Sequence, residues 1–411
     1  MQEFTPVSPR PTGPGINEAP VIDIIRRHGP VSRADIAKLT GLTPPTVTNI
    51  AGKLLDSGLI KEYRMGESSG GRPPLLLKIN SGISQVIIMN IRSEVIMGYA
   101  IDPELQVHFE VTNSIKGMKE AAVLDLMLQM IDQCRKAATA PVAAIGVVVR
   151  GPVRLREGIV VFALNIGWKN LPLKTILEEK FQLPAFIEND AKVLTMGEYH
   201  YGSMKDTANM ILLKVSHGIG AGIMINGRLY RGMNGSAGEV GHTTVDVAGP
   251  LCRCGNYGCL EALASEDALV ELVVKAMKEG QPSCVDDLAD GDPDRVTVDT
   301  VYQAADMGDS LALQMLDRVA RYLGIGIANL VNIFNPELIV ISGCIAKAQS
   351  HIEDTLNRIV RERAFESCSS ILKIHFSERT TENTLKGAAD MVFTEITKTA
   401  WLVQGKTASR L

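Results

Sequence analysis

From residue 84 onward, short apolar runs alternate with long helical stretches, and no other feature constrains the fold of this 411-residue chain as tightly. The runs "QVIIMNI", "AAIGVVV", "PAFIE", "MILLKV" and "ELIVIS" are too short for helices and rich in β-branched residues, so they read as buried strands. The stretches "AAVLDLMLQMIDQCRKA", "ALVELVVKAMK", "LALQMLDRVARYLGIGIANLVNIF" and "HIEDTLNRIVRERA" carry helical apolar periodicity. Strands interleaved with helices predict an α/β body. In such a body a sugar or nucleotide binds at the carboxyl ends of the strands, in a cleft between two α/β lobes.

The length predicts two to three domains rather than one core. Apolar residues make up 45% and charged residues 21% of the chain, with no apolar run long enough to cross a bilayer and no N-terminal signal pattern. The expectation is a soluble cytoplasmic protein without membrane insertion. Of seven cysteines, Cys134, Cys284, Cys344 and Cys368 are scattered singly, unlike a secreted disulfide scaffold. Residues 1 to 80 hold ten Lys and Arg against seven Asp and Glu, so a local +3 sits on a chain whose net charge is −4. A basic head on an acidic body fits a nucleic-acid partner.

Residues 1 to 16 hold four prolines and two glycines with little to bury, and read as a flexible leader. A winged helix-turn-helix is expected over residues 17 to 80. "NEAPVIDIIRRHG" predicts a first helix with Val21, Ile24 and Ile25 inward, and "VSRADIAKLTGL" a second, capped by Ser32 with Asp35 answering and closed by Gly41. Thr43 and Pro44 open a third, whose Val47, Ile50, Ala51, Leu54 and Leu55 form one core stripe. Pro45, Thr46, Thr48, Asn49 and Lys53 stay outside, residue types suited to base edges and phosphates, and Arg33 joins them as a DNA-contact candidate. "GLIKEYR" and "PLLLKIN" flank a glycine-serine loop and read as a β-wing, with Arg72 at its tip placed to enter a minor groove.

"PAFIENDAKV" ends a strand at Glu188-Asn189-Asp190 and starts a helix at once. Asp190 is thereby either a cleft carboxylate for a sugar hydroxyl or part of an Asn-Asp helix cap. Further on, Cys252, Cys254 and Cys259 fall within eight positions, and His242 lies ten residues upstream. Three thiolates and one imidazole make a closed tetrahedral zinc site, structural because protein fills all four positions. The chelating spacing and the two intervening glycines point to zinc rather than to a redox cluster. Glu239 and Glu261 flank the loop it would rigidify.

"GEVGHTTVDVAGPLCRCGNYGCLE", "LNIGWKNLPL", "IENDAKVLTMGEYHYG" and "GIGAGIMINGRLYRG" resemble the ROK family of repressors and sugar kinases. The resemblance implies a two-lobed actin-like fold: a first lobe over residues 84 to 190 completed by a helix at 384 to 397, and a second lobe over 191 to 383 with the zinc loop and an oligomerisation surface. It assigns zinc to His242, Cys252, Cys254 and Cys259, and sugar contacts to Gly151, Asn165, Asn189, Asp190, Gly220, Glu239, His242 and Glu261. Asp190 matches the catalytic base of the family's kinases. With the winged helix in front, the chain is similar to the family's sugar-responsive repressors. The implied partners are double-stranded operator DNA, a sugar effector, a second or fourth copy of the chain, and in some members a regulatory protein.

The resemblance breaks where a kinase would hold ATP. In "IIMNIRSEVIMGYA" Asn90 replaces the phosphate-loop acid, Arg92 and Ser93 stand where glycines belong, and Glu94 occupies the threonine position. A bulky side chain blocks the backbone's approach to phosphate and a carboxylate repels it. "VSHGIGAG" carries His217 in the second phosphate segment, and "VVVRGPV" places Arg150 beside Gly151. The expectation is a non-enzymatic, sugar-responsive DNA-binding regulator, most simply a repressor, with no catalytic residue; the alternatives are an active sugar kinase bearing a DNA-binding head and a regulator controlled by a protein partner.

Overall fold

The structure, a computed structural model, describes residues 18–65, 73–163, 166–203, 205 and 207–407. The leader at 1 to 16, Arg72 and Asn165 lie outside the described residues. Contacts divide the chain into two compact units: Met1–Val147, Leu173–Phe186 and Ala388–Leu411 form the first, Val148–Pro172 and Ile187–Gly387 the second.

The N-terminal part of the first unit has its own apolar core. Val21, Ile22 and Ile25 of helix Glu18–His28 meet Ile36 of Arg33–Thr40 and Val47, Ile50, Ala51 and Leu54 of Pro44–Asp56. Ile22 replaces Ile24 as an inward residue, and Leu55 is half-buried rather than central. Ser32 caps the second helix by accepting from the Asp35 amide at 3.1 Å, while its hydroxyl donates to Asp35 Oδ2 at 2.6 Å. Gly41 closes that helix at φ +69°, a conformation glycine adopts without strain. The wing strands Ile60–Met65 and Leu75–Ile79 pair antiparallel, and Val31–Ser32 adds a third strand, so the sheet has three members instead of the expected two.

Two five-stranded sheets form the body, and they share one connectivity. In the first, the strands run in space as Ala185–Asn189, Val142–Val149, Gln85–Ile91, Val95–Ile101, Val107–Ser114. In the second they run Lys373–Ser377, Leu338–Ser342, Met210–Val215, Ile219–Ile225, Arg228–Tyr230. Each sheet therefore reads fifth, fourth, first, second, third in chain order. The five apolar runs picked out from sequence are all strands of these sheets. Helix Ser310–Phe334 packs the second sheet's core, and lies so close to Gln349–Arg363 that a Cβ on Gly324 would stand 2.8 Å from Ile359 Cβ.

The unit boundary differs from the expected lobe boundary after residue 190. Residues 148 to 172 group with the second unit because Gly151 carbonyl accepts from Asn189 Nδ2 at 3.0 Å and the Val153 carbonyl packs on Gly235. The terminal helix Thr380–Thr407 changes unit at Gly387. Its first turns sit on helix Asp190–Tyr201 almost without side chains between, since a Cβ on Gly197 would lie 1.8 Å from the Asn383 carbonyl oxygen. Among the described residues no helix is long and apolar enough to cross a membrane.

Candidate functional site

Asn189 ends its strand and caps the helix that follows. Its Oδ1 accepts from the amides of Ala191 and Lys192 at 3.0 and 3.3 Å, and Asp190 Oδ1 also accepts from the Ala191 amide at 2.9 Å, so both residues take part in the cap. Asp190 also lines a cavity of about 260 Å3, where its Oδ2 pairs with Lys214. That volume is just below the roughly 300 Å3 where small-molecule sites begin, and suits one compact ligand. Every residue lining it belongs to the second unit, so the described pocket is not built from both.

Of the eight residues expected to hold a sugar, Gly151, Asn189, Asp190, Gly220, Glu239, His242 and Glu261 line this one cavity. Gly151 takes φ +103°, and a Cβ there would stand 2.1 Å from the Phe162 carbonyl oxygen, so only glycine fits. Glu261 Oε2 accepts from the Ile219 amide at 2.9 Å, which aims the carboxylate along the pocket wall. Burial pushes the Glu239 carboxyl above the usual carboxylate range, with Lys192 and His242 pulling it back. Lys192 itself is only 2% exposed, bonds the Gly235 carbonyl, and is held below the usual lysine range by burial.

Sequence reasoning missed Lys214, whose ammonium pairs with Asp190 inside the pocket. The available signal was a lone lysine near the carboxyl end of the otherwise apolar strand "MILLKV". Arg253 and Phe162, also unpredicted, line the cavity with the flagged Arg150 and His217. At the rim, His217 Nδ1 meets Asp267 Oδ1 at 2.8 Å and Arg253 reaches Asp267 Oδ2 at 3.1 Å. The Asp267 bond raises the His217 pKa against the opposing effect of burial.

Beside the pocket, one donor atom each from His242, Cys252, Cys254 and Cys259 lies within 4.8 Å of all the others. Cys254 and Cys259 sulfurs are 3.7 Å apart, and Cys252 Sγ is 3.7 Å from His242 Nδ1. A tetrahedron of ~2.3 Å metal–sulfur bonds has edges of about 3.8 Å, so the donor set fits zinc in number, type and spacing. The loop reaches this geometry through Gly258, at φ +66°, where a Cβ would fall 1.6 Å from the Asp246 carbonyl oxygen. His242 belongs to both sites, with Nδ1 turned to the thiols.

On the N-terminal three-helix domain, Pro45, Thr48, Asn49 and Lys53 are exposed along the third helix. Lys53 also reaches Glu18 at 3.3 Å. Thr46 is half-buried and its hydroxyl bonds that of Thr43 at 2.8 Å, while Arg33 is half-buried at the start of the second helix.

The ROK family model matches residues 96–395. The chain belongs to the ROK family. A MarR family model matches residues 12–67, over the helix-turn-helix. The xylose repressor of Caldicellulosiruptor bescii is 34% identical over 387 residues, 93% of this chain and 96% of that protein. A crystal structure of a ROK family transcriptional regulator, a homolog of the Escherichia coli MLC protein, superposes with a TM-score of 0.82 at 31% identity, covering 95% of this chain and 98% of that one. A ROK glucokinase from Streptomyces griseus, in complex with glucose and AMPPNP, matches with a TM-score of 0.66 at 27% identity over 75% of this chain and 98% of its own. The kinase match leaves a quarter of this chain uncovered, whereas the regulator match covers nearly all of it. This ROK protein is a DNA-binding transcriptional regulator.

Proposed function

We propose that the protein is a repressor of carbohydrate genes, released from its operator when a sugar occupies the second-unit pocket. The observation that carries this is the convergence of Asn189, Asp190, Glu239, His242 and Glu261 on one small cavity. Carboxylates and amides at that density suit a polyol, whose hydroxyls both donate and accept. Lys214 beside Asp190 completes a donor and acceptor pair for one hydroxyl. The relative's name, xylose repressor, makes D-xylose the first sugar to try.

His242, Cys252, Cys254 and Cys259 would hold a structural zinc that would rigidify the loop, and with Nδ1 turned to the thiols His242 would keep its proton on Nε2. His242 then donates to a ligand hydroxyl, and Glu239 and Glu261 accept. Against phosphoryl transfer stands the turn after strand Gln85–Ile91. Arg92, Ser93 and Glu94 form a tight hairpin, with the Arg92 amide on Val95 oxygen at 2.9 Å and Glu94 paired to Lys116 at 3.1 Å. Asp190, which would be the kinase base, is engaged by Lys214.

Release follows from linkage. A sugar that favours one arrangement of the body shifts the spacing of paired winged helices in a dimer or tetramer, and roughly 1–3 kcal/mol of coupling is typical. Two copies reading two half-sites in the cytoplasm complete the proposal. The test is a thermal-shift titration of zinc-loaded protein with pentoses, hexoses, N-acetyl sugars, their phosphates and Mg-ATP, since a ligand of the folded state raises the melting temperature. One sugar should shift wild type and leave Glu239→Ala unmoved. A shift with Mg-ATP would revive the kinase, and silence throughout would point to control by a protein partner.

A further inference from the structure

The terminal helix Thr380–Thr407 carries a buried acid that the pocket and the zinc loop do not use. Asp390 accepts from Arg26 Nη2 at 2.7 Å, across 364 positions of sequence. It also takes Arg27 through Nε and Nη2, both at 2.9 Å, in a two-pronged grip. Thr394, one turn further on, accepts from Arg26 at 3.1 Å and from Arg27 at 3.0 Å, and donates to Asp23 at 3.4 Å. The Arg26 guanidinium lies 5.9 Å over the Phe393 ring.

Asp23, Arg26 and Arg27 all belong to helix Glu18–His28, the first helix of the domain, whereas the third is the one expected to enter the groove. The Arg26 and Asp390 side chains are 1% and 0% exposed, so this is no solvated surface pair. Two cations and two anions balance within the cluster, and Asp390 and Arg27 meet in the planar geometry that fixes orientation as well as distance. A buried ion pair adds little stability over an apolar equivalent, yet losing one partner leaves a charge in the interior.

We infer that Asp390 is a positioning residue for DNA binding: through Arg26 and Arg27 it seats the winged helix on the terminal helix, although it touches no DNA. The inference stands apart from the sugar proposal, because none of these residues lines the pocket.

The test uses full-length, zinc-loaded protein and a duplex that the wild type has selected from a random DNA pool. Asp390→Asn, Arg27→Gln and their double variant are compared with Lys398→Ala, an exposed change on the same helix. Arg27 is 18% exposed, so its variant is the milder one should Asp390→Asn fold poorly. Each single change should weaken the duplex about tenfold or more, with the double no weaker than the worse single, because the two groups act as one unit. Hydrogen exchange should rise in Glu18–His28 and stay unchanged in Pro44–Asp56, with zinc content and Lys398→Ala binding as in wild type. Wild-type affinity in both single variants overturns the inference. So does a loss of affinity that appears only with lost protection in Pro44–Asp56, the result a purely structural role would give, or simple additivity of the two losses.

Discussion

Lys214 shows how one residue alters the meaning of its neighbour. A strand pattern that is otherwise apolar gives no reason for an ammonium there, yet it lies in the pocket against Asp190. Without it, the Asp190 carboxylate would face the pocket with only the Ala191 amide bonded to it. Lys214→Met keeps most of the side-chain volume and removes the charge. It should weaken binding of the sugar found by titration by about ten- to a hundredfold, the loss of a charge-assisted hydrogen bond. Calorimetry on the two proteins measures this; equal affinities would place the ligand away from Asp190.

Between elements, the His217–Asp267 contact ties the turn after strand Met210–Val215 to the first turn of helix Glu266–Lys278. His217 has a raised pKa in the fold, so its contribution is complete below the ordinary imidazole value of about 6.5 and fades as pH rises through the raised one. Burial acts to raise Asp267, but His217 and Arg253 outweigh it and hold the carboxyl low, so its contribution is complete above the ordinary value of about 3.9 and is lost as pH falls through the depressed one. The pair therefore works from about pH 4 to about pH 6.5. His217 is 51% exposed on its side chain, so water screens the effect and it is small. Urea unfolding of His217→Gln should show its deficit against wild type at about pH 5.5 and almost none at about pH 9. A deficit that grows with pH would assign His217 the neutral form.

For the whole molecule, the proposed zinc site and the proposed sugar pocket share His242. Stripping the protein with a chelator, or Cys254→Ser at the exposed ligand, should lower the melting temperature of the second unit and abolish the sugar-induced shift together. The DNA-binding domain has an apolar core of its own, from Val21 to Ile79, and should keep its amide protection meanwhile. Retained sugar binding after zinc removal, checked by metal analysis, would mean His242 needs no ligation to take up its pocket position.

Much of this architecture is legible in the chain itself, because its signals are local. Apolar period distinguishes strand from helix, Ser32 and Gly41 mark helix ends within one turn, and the three clustered thiols have few partners near enough to share a metal. Family motifs carried Gly151, Asn189, Asp190, Gly220, Glu239, His242 and Glu261, and the structure gathers them into one cavity. What local signals do not contain is contact between distant segments. The assignment of 148 to 172 to the second unit rests on bonds to Asn189 and packing on Gly235; the pairing of Lys214 with Asp190 spans two elements; and Asp390 meets Arg26 only after the chain has closed on itself. Those contacts cost chain entropy to form and are repaid only when many form at once, so they belong to the tertiary structure and leave no periodic trace in the sequence.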